Sequence, residues 1–145
     1  MWNFKRIKFL FLCACIVLLF NSCTDEKQLA VIPAIIPAPS FQQINDGVFE
    51  VSNATGIFSD DEFKQVADFL KSYIEYGSEI KLKSEDYKNV INFKKDASIT
   101  NEEGYQLKIT SIEITIAESS AKGAFYAVQS LRQLLPPSFE NSTYK

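Results

Sequence analysis

"NEEGYQLKITSIEITIAESSAKGAFYAVQSLRQLLP", residues 101–136, changes its period partway along. Through 104–110 and 112–118 apolar and polar residues alternate, with Tyr105, Leu107 and Ile109, then Ile112, Ile114 and Ile116, on one face. That is the period of strands buried on one side only. The tight join at Thr110–Ser111 predicts an antiparallel hairpin, although the turn lacks the usual Gly or Asn. From residue 121 the period lengthens. Ala121, Ala124, Phe125, Val128, Leu131 and Leu135 recur at helical spacing, predicting a helix over 121–137. The opposite stripe, Tyr126, Gln129, Ser130 and Gln133, is polar yet uncharged. A solvated helix face is ordinarily laced with Lys and Glu, whereas this helix carries only Lys122 and Arg132. The pattern predicts burial on both sides.

Upstream the elements alternate in type. "GVFEVS" (47–52) reads as a short strand after the turn "NDG". "SDDEFKQVADFLKSYIEYG" (59–77) reads as a helix with Phe63, Val66, Ala67, Leu70 and Ile74 as its apolar stripe. Ser59 with Glu62 forms a capping box at its start, and Gly77 supplies a left-handed residue at its end. "EIKLKS" (79–84) and "NVINFKK" (89–95) read as further strands. The predicted fold is α+β: a two-layer sandwich in which two helices cover one face of a mainly antiparallel sheet of four to five strands.

The N-terminal stretch stands apart. "MWNFKRIKFLFLCACIVLLFNSC" places Lys5, Arg6 and Lys8 before an apolar run from Phe9 to Phe20, the layout of a secretory signal peptide. The run is shorter than a bilayer span requires. "LLFNSC" resembles the lipobox of bacterial lipoproteins, which implies cleavage after residue 22 and acylation of Cys23. Phe20 and Asn21 depart from the usual Leu and Ala or Ser. "TDEK" after it resembles the surface-export signal of Bacteroidetes lipoproteins, implying an outer-membrane lipoprotein, surface-exposed or periplasmic. Cys13 and Cys15 lie within the signal, so cleavage leaves Cys23 as the single cysteine, and acylation accounts for it. Cleavage also removes those three basic residues and no acidic one, taking the formal charge from −3 to −6. An acidic chain without a basic stretch speaks against nucleic-acid binding. Residues 23–40, with three prolines in "VIPAIIPAPS", read as a tether and an extended lead-in to the domain.

Catalytic equipment is not evident. The chain has no histidine, which removes imidazole bases, His-based triads and the commonest zinc ligand. Its five glycines form no phosphate loop. "SDDE" (59–62) and "NEEG" (101–104) group carboxylates, but helix-start and turn chemistry explain them. Tyr73, Tyr76 and Tyr87 are conceivable as a sugar-stacking platform, with half-buried structural roles the plainer alternative. No catalytic residue, metal ligand or cofactor is expected.

The hairpin and last helix together resemble the non-catalytic N-terminal domain of family 20 glycoside hydrolases, the bacterial β-N-acetylhexosaminidases. That domain reads E-x-Y-x-L, then I-x-I-x-A, then G-x-F-Y-G-x-Q-T-L-x-Q-L-L. Glu103, Tyr105 and Leu107 approximate the first strand; Ile112, Ile114 and Ala117 track the second with one residue of drift. Gly123, Phe125, Tyr126, Gln129, Leu131, Gln133, Leu134 and Leu135 track the helix, with Ala127 for Gly and Ser130 for Thr. "IIPAPS" resembles the family's lead-in.

The resemblance implies a domain over 41–137 that supports a catalytic (β/α)₈ barrel, with 138–145 as the start of the linker. In the family the barrel carries an Asp–Glu pair and removes terminal N-acetylhexosamines from glycans. A barrel needs about 250 residues, so the chain is expected to be the front of a longer enzyme, inactive alone. Tyr126, Gln129, Ser130 and Gln133 are then the expected inter-domain contact, with the barrel as partner and the glycan met only through it. The alternative is a stand-alone surface lipoprotein that docks a separate glycosidase or a glycan.

Overall fold

The computed structural model describes residues 33–139. Residues 1–32, which include the expected signal peptide and Cys23, and residues 140–145 lie outside that range. The described elements are β1 (Thr55–Phe58), α1 (Lys64–Gly77) preceded by a 3-10 turn at Asp61–Phe63, β2 (Asn89–Lys95), β3 (Tyr105–Ile109), β4 (Glu113–Glu118) and α2 (Ala121–Leu134). A second 3-10 turn, Pro137–Phe139, follows α2. The four strands form one sheet in the order β1-β2-β4-β3, and both helices pack on the same face of it and on each other. The α+β sandwich with two helices on one side is the architecture expected from the sequence.

Strand direction differs from the expectation. β1 pairs with β2, and β2 with β4, in parallel; only β3–β4 is antiparallel. The sheet is therefore mixed. β1–α1–β2 is a crossover through a helix, which returns the chain in the same direction. β4 then inserts between β2 and β3. Alternation in sequence reports one-sided burial, not direction, and here the parallel strands are covered on one face only.

The core is built from Ile91 and Phe93 of β2, Ile114 and Ile116 of β4, Phe63, Ala67, Leu70 and Ile74 of the first helical segment, and Ala124, Ala127, Val128 and Leu131 of α2. Each large side chain removed from water contributes roughly 1.5–3 kcal/mol before chain entropy is charged against it. The hairpin holds without Gly because Thr110 closes the turn itself. Its Oγ1 accepts from the Glu113 and Ile112 amides (2.9 and 3.4 Å), and its amide donates to the Glu113 carbonyl. Ile112 lies in this turn and is exposed, not on the buried face with Ile114 and Ile116.

Other local expectations change for identifiable reasons. Residues 47–52 form no strand; the first strand is Thr55–Phe58, whose Asn-Ala-Thr-Gly approach reads as a turn. Within 79–84 only Lys83 bridges to Gly56, while Leu82 and Lys81 donate their amides to side chains of Glu75 and Asn53. The capping box is not formed: neither Asp60 nor Phe63 caps through its side chain, and Glu62 pairs with Lys95 at 2.6 Å. Gly77 is not left-handed. Its hydrogen faces the Phe139 carbonyl so closely that a Cβ would overlap it. Ser78 ends the helix, its Oγ donating to the Ile74 carbonyl at 2.7 Å.

The start of α2 is fixed most tightly. Ser120 Oγ accepts from the amides of Lys122 and Gly123 and donates to the Glu102 carbonyl at 2.6 Å. Gly123 lies against the Gly104 carbonyl at a separation that no Cβ can share. Replacing Gly123 with Ala must push the helix off the hairpin. Gly123→Ala is expected to cost about 3 kcal/mol in denaturant unfolding, whereas Ala121→Gly, at an exposed position of the same turn, costs only about 1 kcal/mol.

Candidate functional site

With Gly123 against the hairpin, the rotation of α2 is set. Two turns further along the same face comes Ser130, 5% exposed, whose Oγ lies 2.6 Å from the Tyr105 hydroxyl. Ser130 therefore belongs to the interior and not to the outward stripe. Its polarity suggested solvent, but a seven-residue spacing from Gly123 returns it to the core side. Phe125 moves the other way: placed on the apolar stripe by type, it is 44% exposed, and Ala127 takes the inward position.

The outward face of α2 is thus Phe125, Tyr126, Gln129, Arg132 and Gln133. It meets Phe69 and Tyr73 from α1. The Phe125 ring lies 6.2 Å from Phe69 and 6.0 Å from Tyr126. The Arg132 guanidinium sits over the Tyr73 ring at 4.2 Å and near that of Phe69 at 5.9 Å. Arg132 Nη1 donates to Gln129 Oε1 at 2.8 Å. The result is a ridge of partly exposed aromatic rings across both helices, with one cation stacked into it. Phe69 and Arg132 escaped the sequence reading. The signal available was Phe69 itself, an aromatic residue off the apolar stripe of its helix.

Gln133 has a separate task. Its Oε1 accepts from the Ile36 amide and its Nε2 donates to the Ile36 carbonyl, both at 2.9 Å. One side-chain amide thus satisfies both backbone groups of a lead-in residue, as a neighbouring strand would. That lead-in carries further exposed apolar residues, Ile36, Phe41 and Val48. The open face of the sheet is different in kind. There Lys94, Asn92 and Glu113 form a polar cluster, with Lys94 Nζ 2.8 Å from Glu113 Oε1.

Other candidate groups disperse. Tyr87 packs on Phe58 at 5.0 Å, Tyr73 lies under Arg132, and Tyr76 projects from α1 into solvent, so no shared platform forms. The carboxylate of Glu102 pairs with Lys122 at 2.9 Å, which holds it below the usual glutamate range through that hydrogen bond and charge. The pairing secures the start of α2.

Glu118 is the exception among the carboxyls. It ends β4 on the core-facing side, fully buried, and neither oxygen has a hydrogen-bond partner among the described residues. Burial, with the charges of Asp60 and Glu62 nearby, pushes its pKa up to about 8. The folded chain therefore holds a proton there that the unfolded chain releases near 4.5. Stability from this group is fully present below the unfolded value and is lost as pH rises through the window between the two. Glu118→Gln carries no such dependence. Thermal melts should show the variant level with the parent at the acid end of the window and clearly more stable at the alkaline end.

Against known proteins, residues 32–144 match the family model described as glycosyl hydrolase family 20, domain 2. The β-hexosaminidase of Porphyromonas gingivalis (strain ATCC BAA-308 / W83) is 33% identical over 142 residues, covering 90% of this chain and 18% of that protein. The family 20 β-N-acetylhexosaminidase of Streptomyces coelicolor A3(2) superposes with a TM-score of 0.64 at 30% identity, over 73% of this chain and 22% of that one. The exo-β-N-acetylglucosaminidase of Vibrio harveyi, solved with N-acetylglucosamine, gives a TM-score of 0.58 at 25% identity over 72% and 16%. The chain spans about a fifth of the length of these relatives.

Proposed function

The chain belongs to glycosyl hydrolase family 20, as that family's domain 2, and from that premise we propose that it is the non-catalytic N-terminal support of a β-N-acetylhexosaminidase. In this reading the enzyme removes terminal N-acetylhexosamines from glycans, with its chemistry in a (β/α)₈ barrel against which this domain packs. The observation that carries the reading is the aromatic ridge. Phe69, Phe125 and Tyr126 leave contiguous apolar surface in water on the helical side, while the open face of the sheet combines the Lys94–Glu113 pair with a single aromatic contact, Phe58 on Tyr87. An exposed apolar patch of this kind is what an abutting domain covers.

Of the four residues expected from sequence to make the contact, Tyr126 and Gln129 fit this role. Gln133 serves it indirectly by fastening the lead-in beside the ridge, and Ser130 is replaced by Phe125 and Phe69. The locus is expected to read on from codon 145 into a barrel's length of coding sequence with an Asp–Glu pair; absence of any such sequence would overturn the enzyme reading. In the whole enzyme, Phe125→Asp is expected to lower the melting temperature by several degrees and to reduce glycosidase activity on a chromogenic N-acetylglucosaminide.

The same proposal includes membrane attachment. Cleavage after residue 22 and acylation of Cys23 would hold the protein at the outer membrane, with residues 24–40 as the spacer. Cells fed labelled palmitate should incorporate it into the wild-type protein, which partitions into detergent. Cys23→Ala should lose the label and leave the membrane fraction; an unlabelled wild-type protein would overturn lipidation.

A further inference from the structure

Arg132 is set into the ridge in an unusual way for a surface cation. Two rings fix its guanidinium, at 4.2 Å from Tyr73 and 5.9 Å from Phe69. Among the described residues its sole hydrogen-bond acceptor is Gln129 Oε1, so one of its five donors is used. No carboxylate of the described residues comes within 4.0 Å of it; it shares that with Lys71, Lys83, Lys88 and Lys108, and differs from them in being held by rings. Beside it two more donors, Arg132 Nε and Gln129 Nε2, are closed off from water without an acceptor, as is the Tyr73 hydroxyl.

Stacking a guanidinium on rings strips part of its hydration while leaving its charge uncompensated. Stacking also removes much of the side-chain freedom that a new contact would otherwise have to freeze. A planar, pre-positioned cation ringed by aromatic surface is the composition of a strong interface anchor. The acceptor that best matches a guanidinium edge is a carboxylate, which can take two parallel N–H bonds.

We propose that Arg132 is the charged anchor of the docking ridge, and that its partner is an Asp or Glu side chain presented by the domain that covers Phe69, Phe125 and Tyr126. This rests on the docking reading given above and adds to it the chemistry of the contact. Aromatic surface alone would let the abutting domain slide; one charge pair inside it fixes register and excludes partners with a cation at that point.

The test uses the whole enzyme expressed from its locus, treated with a carbodiimide that joins amines to carboxylates in direct contact. Wild-type Arg132 does not react. Arg132→Lys places an amine at the same point, and mass spectrometry is expected to find it joined to an Asp or Glu outside residues 33–139. The Lys122–Glu102 and Lys95–Glu62 pairs, at 2.9 and 2.6 Å, should cross-link in every sample and report that the domain is folded. In parallel, Arg132→Met, which keeps the apolar stem on the rings, should lower the melting temperature of the enzyme, because it leaves the partner carboxylate covered without its cation.

Absence of a cross-link at position 132 with both controls present, together with an Arg132→Met melt level with the wild type, overturns the inference. If limited proteolysis in that case cuts the Phe125→Asp enzyme between this domain and the rest and leaves the wild type whole, the ridge docks but on something other than a carboxylate. If Phe125→Asp is also silent, the docking reading itself fails. A cross-link from position 132 into a second copy of the chain likewise overturns the anchor within one enzyme.

Discussion

The close approach of Gly123 to the Gly104 carbonyl governs the rest of the domain. It brings the first turn of α2 down onto the loop that opens β3, where Ser120 and Lys122 hold Glu102 through its carbonyl and its carboxylate. Once that turn is seated, helical geometry fixes every later position. Ala124, Val128 and Leu131 go to the sheet and Ser130 to the Tyr105 hydroxyl, while Phe125, Tyr126, Gln129 and Arg132 are turned away. The glycine sacrifices helix propensity and in exchange sets which side of α2 the domain keeps for itself.

The two surfaces of this sandwich answer different demands. On the open side of the sheet, Lys94 and Asn92 of β2 meet Glu113 of β4, so the parallel strands tolerate water where parallel sheets are ordinarily covered on both faces. On the helical side, carboxylates and lysines withdraw to the helix starts and the α1 surface, and rings take the centre. The lead-in strand-like residue Ile36, clasped by Gln133, extends the apolar area at the far end of α2. A domain built for water on all sides would have no reason to distribute its charges so unevenly.

The period of the sequence revealed much of this and misled in specific places. Both helices, β2, the hairpin and the inward residues of α1 follow from spacing alone, because burial on one face imprints a period on the chain. Direction leaves no such imprint, so the parallel pairings were invisible. β1 was hidden by its composition: Gly56 must lie beneath the Tyr87 ring, and Thr-Gly after Asn reads as a turn. The docking face was half legible. Tyr126 and Gln129 stand where periodicity puts them, but Phe125 and Ser130 exchange places, because an apolar residue type points inward and a polar one outward while the rotation of the helix does the reverse. Glu118 continues the inward face of Ile114 and Ile116 by period, but its acidic type at a strand end reads as solvated, and the fold buries it all the same.

The ridge is able to serve an interface because it is already half inside the domain. Phe69, Phe125 and Tyr126 each bury more than half of their surface against the helices that carry them, and Arg132 lies along two rings. Groups fixed in that way lose little freedom when a second body covers them, so more of the contact energy remains as association. The core stripe of Ala124, Val128 and Leu131 and the outward stripe of Phe125, Tyr126 and Arg132 share one helix and leave it on different sides. A small domain with one sheet and two helices can therefore hold itself together with one side of α2 and hold something else with the other.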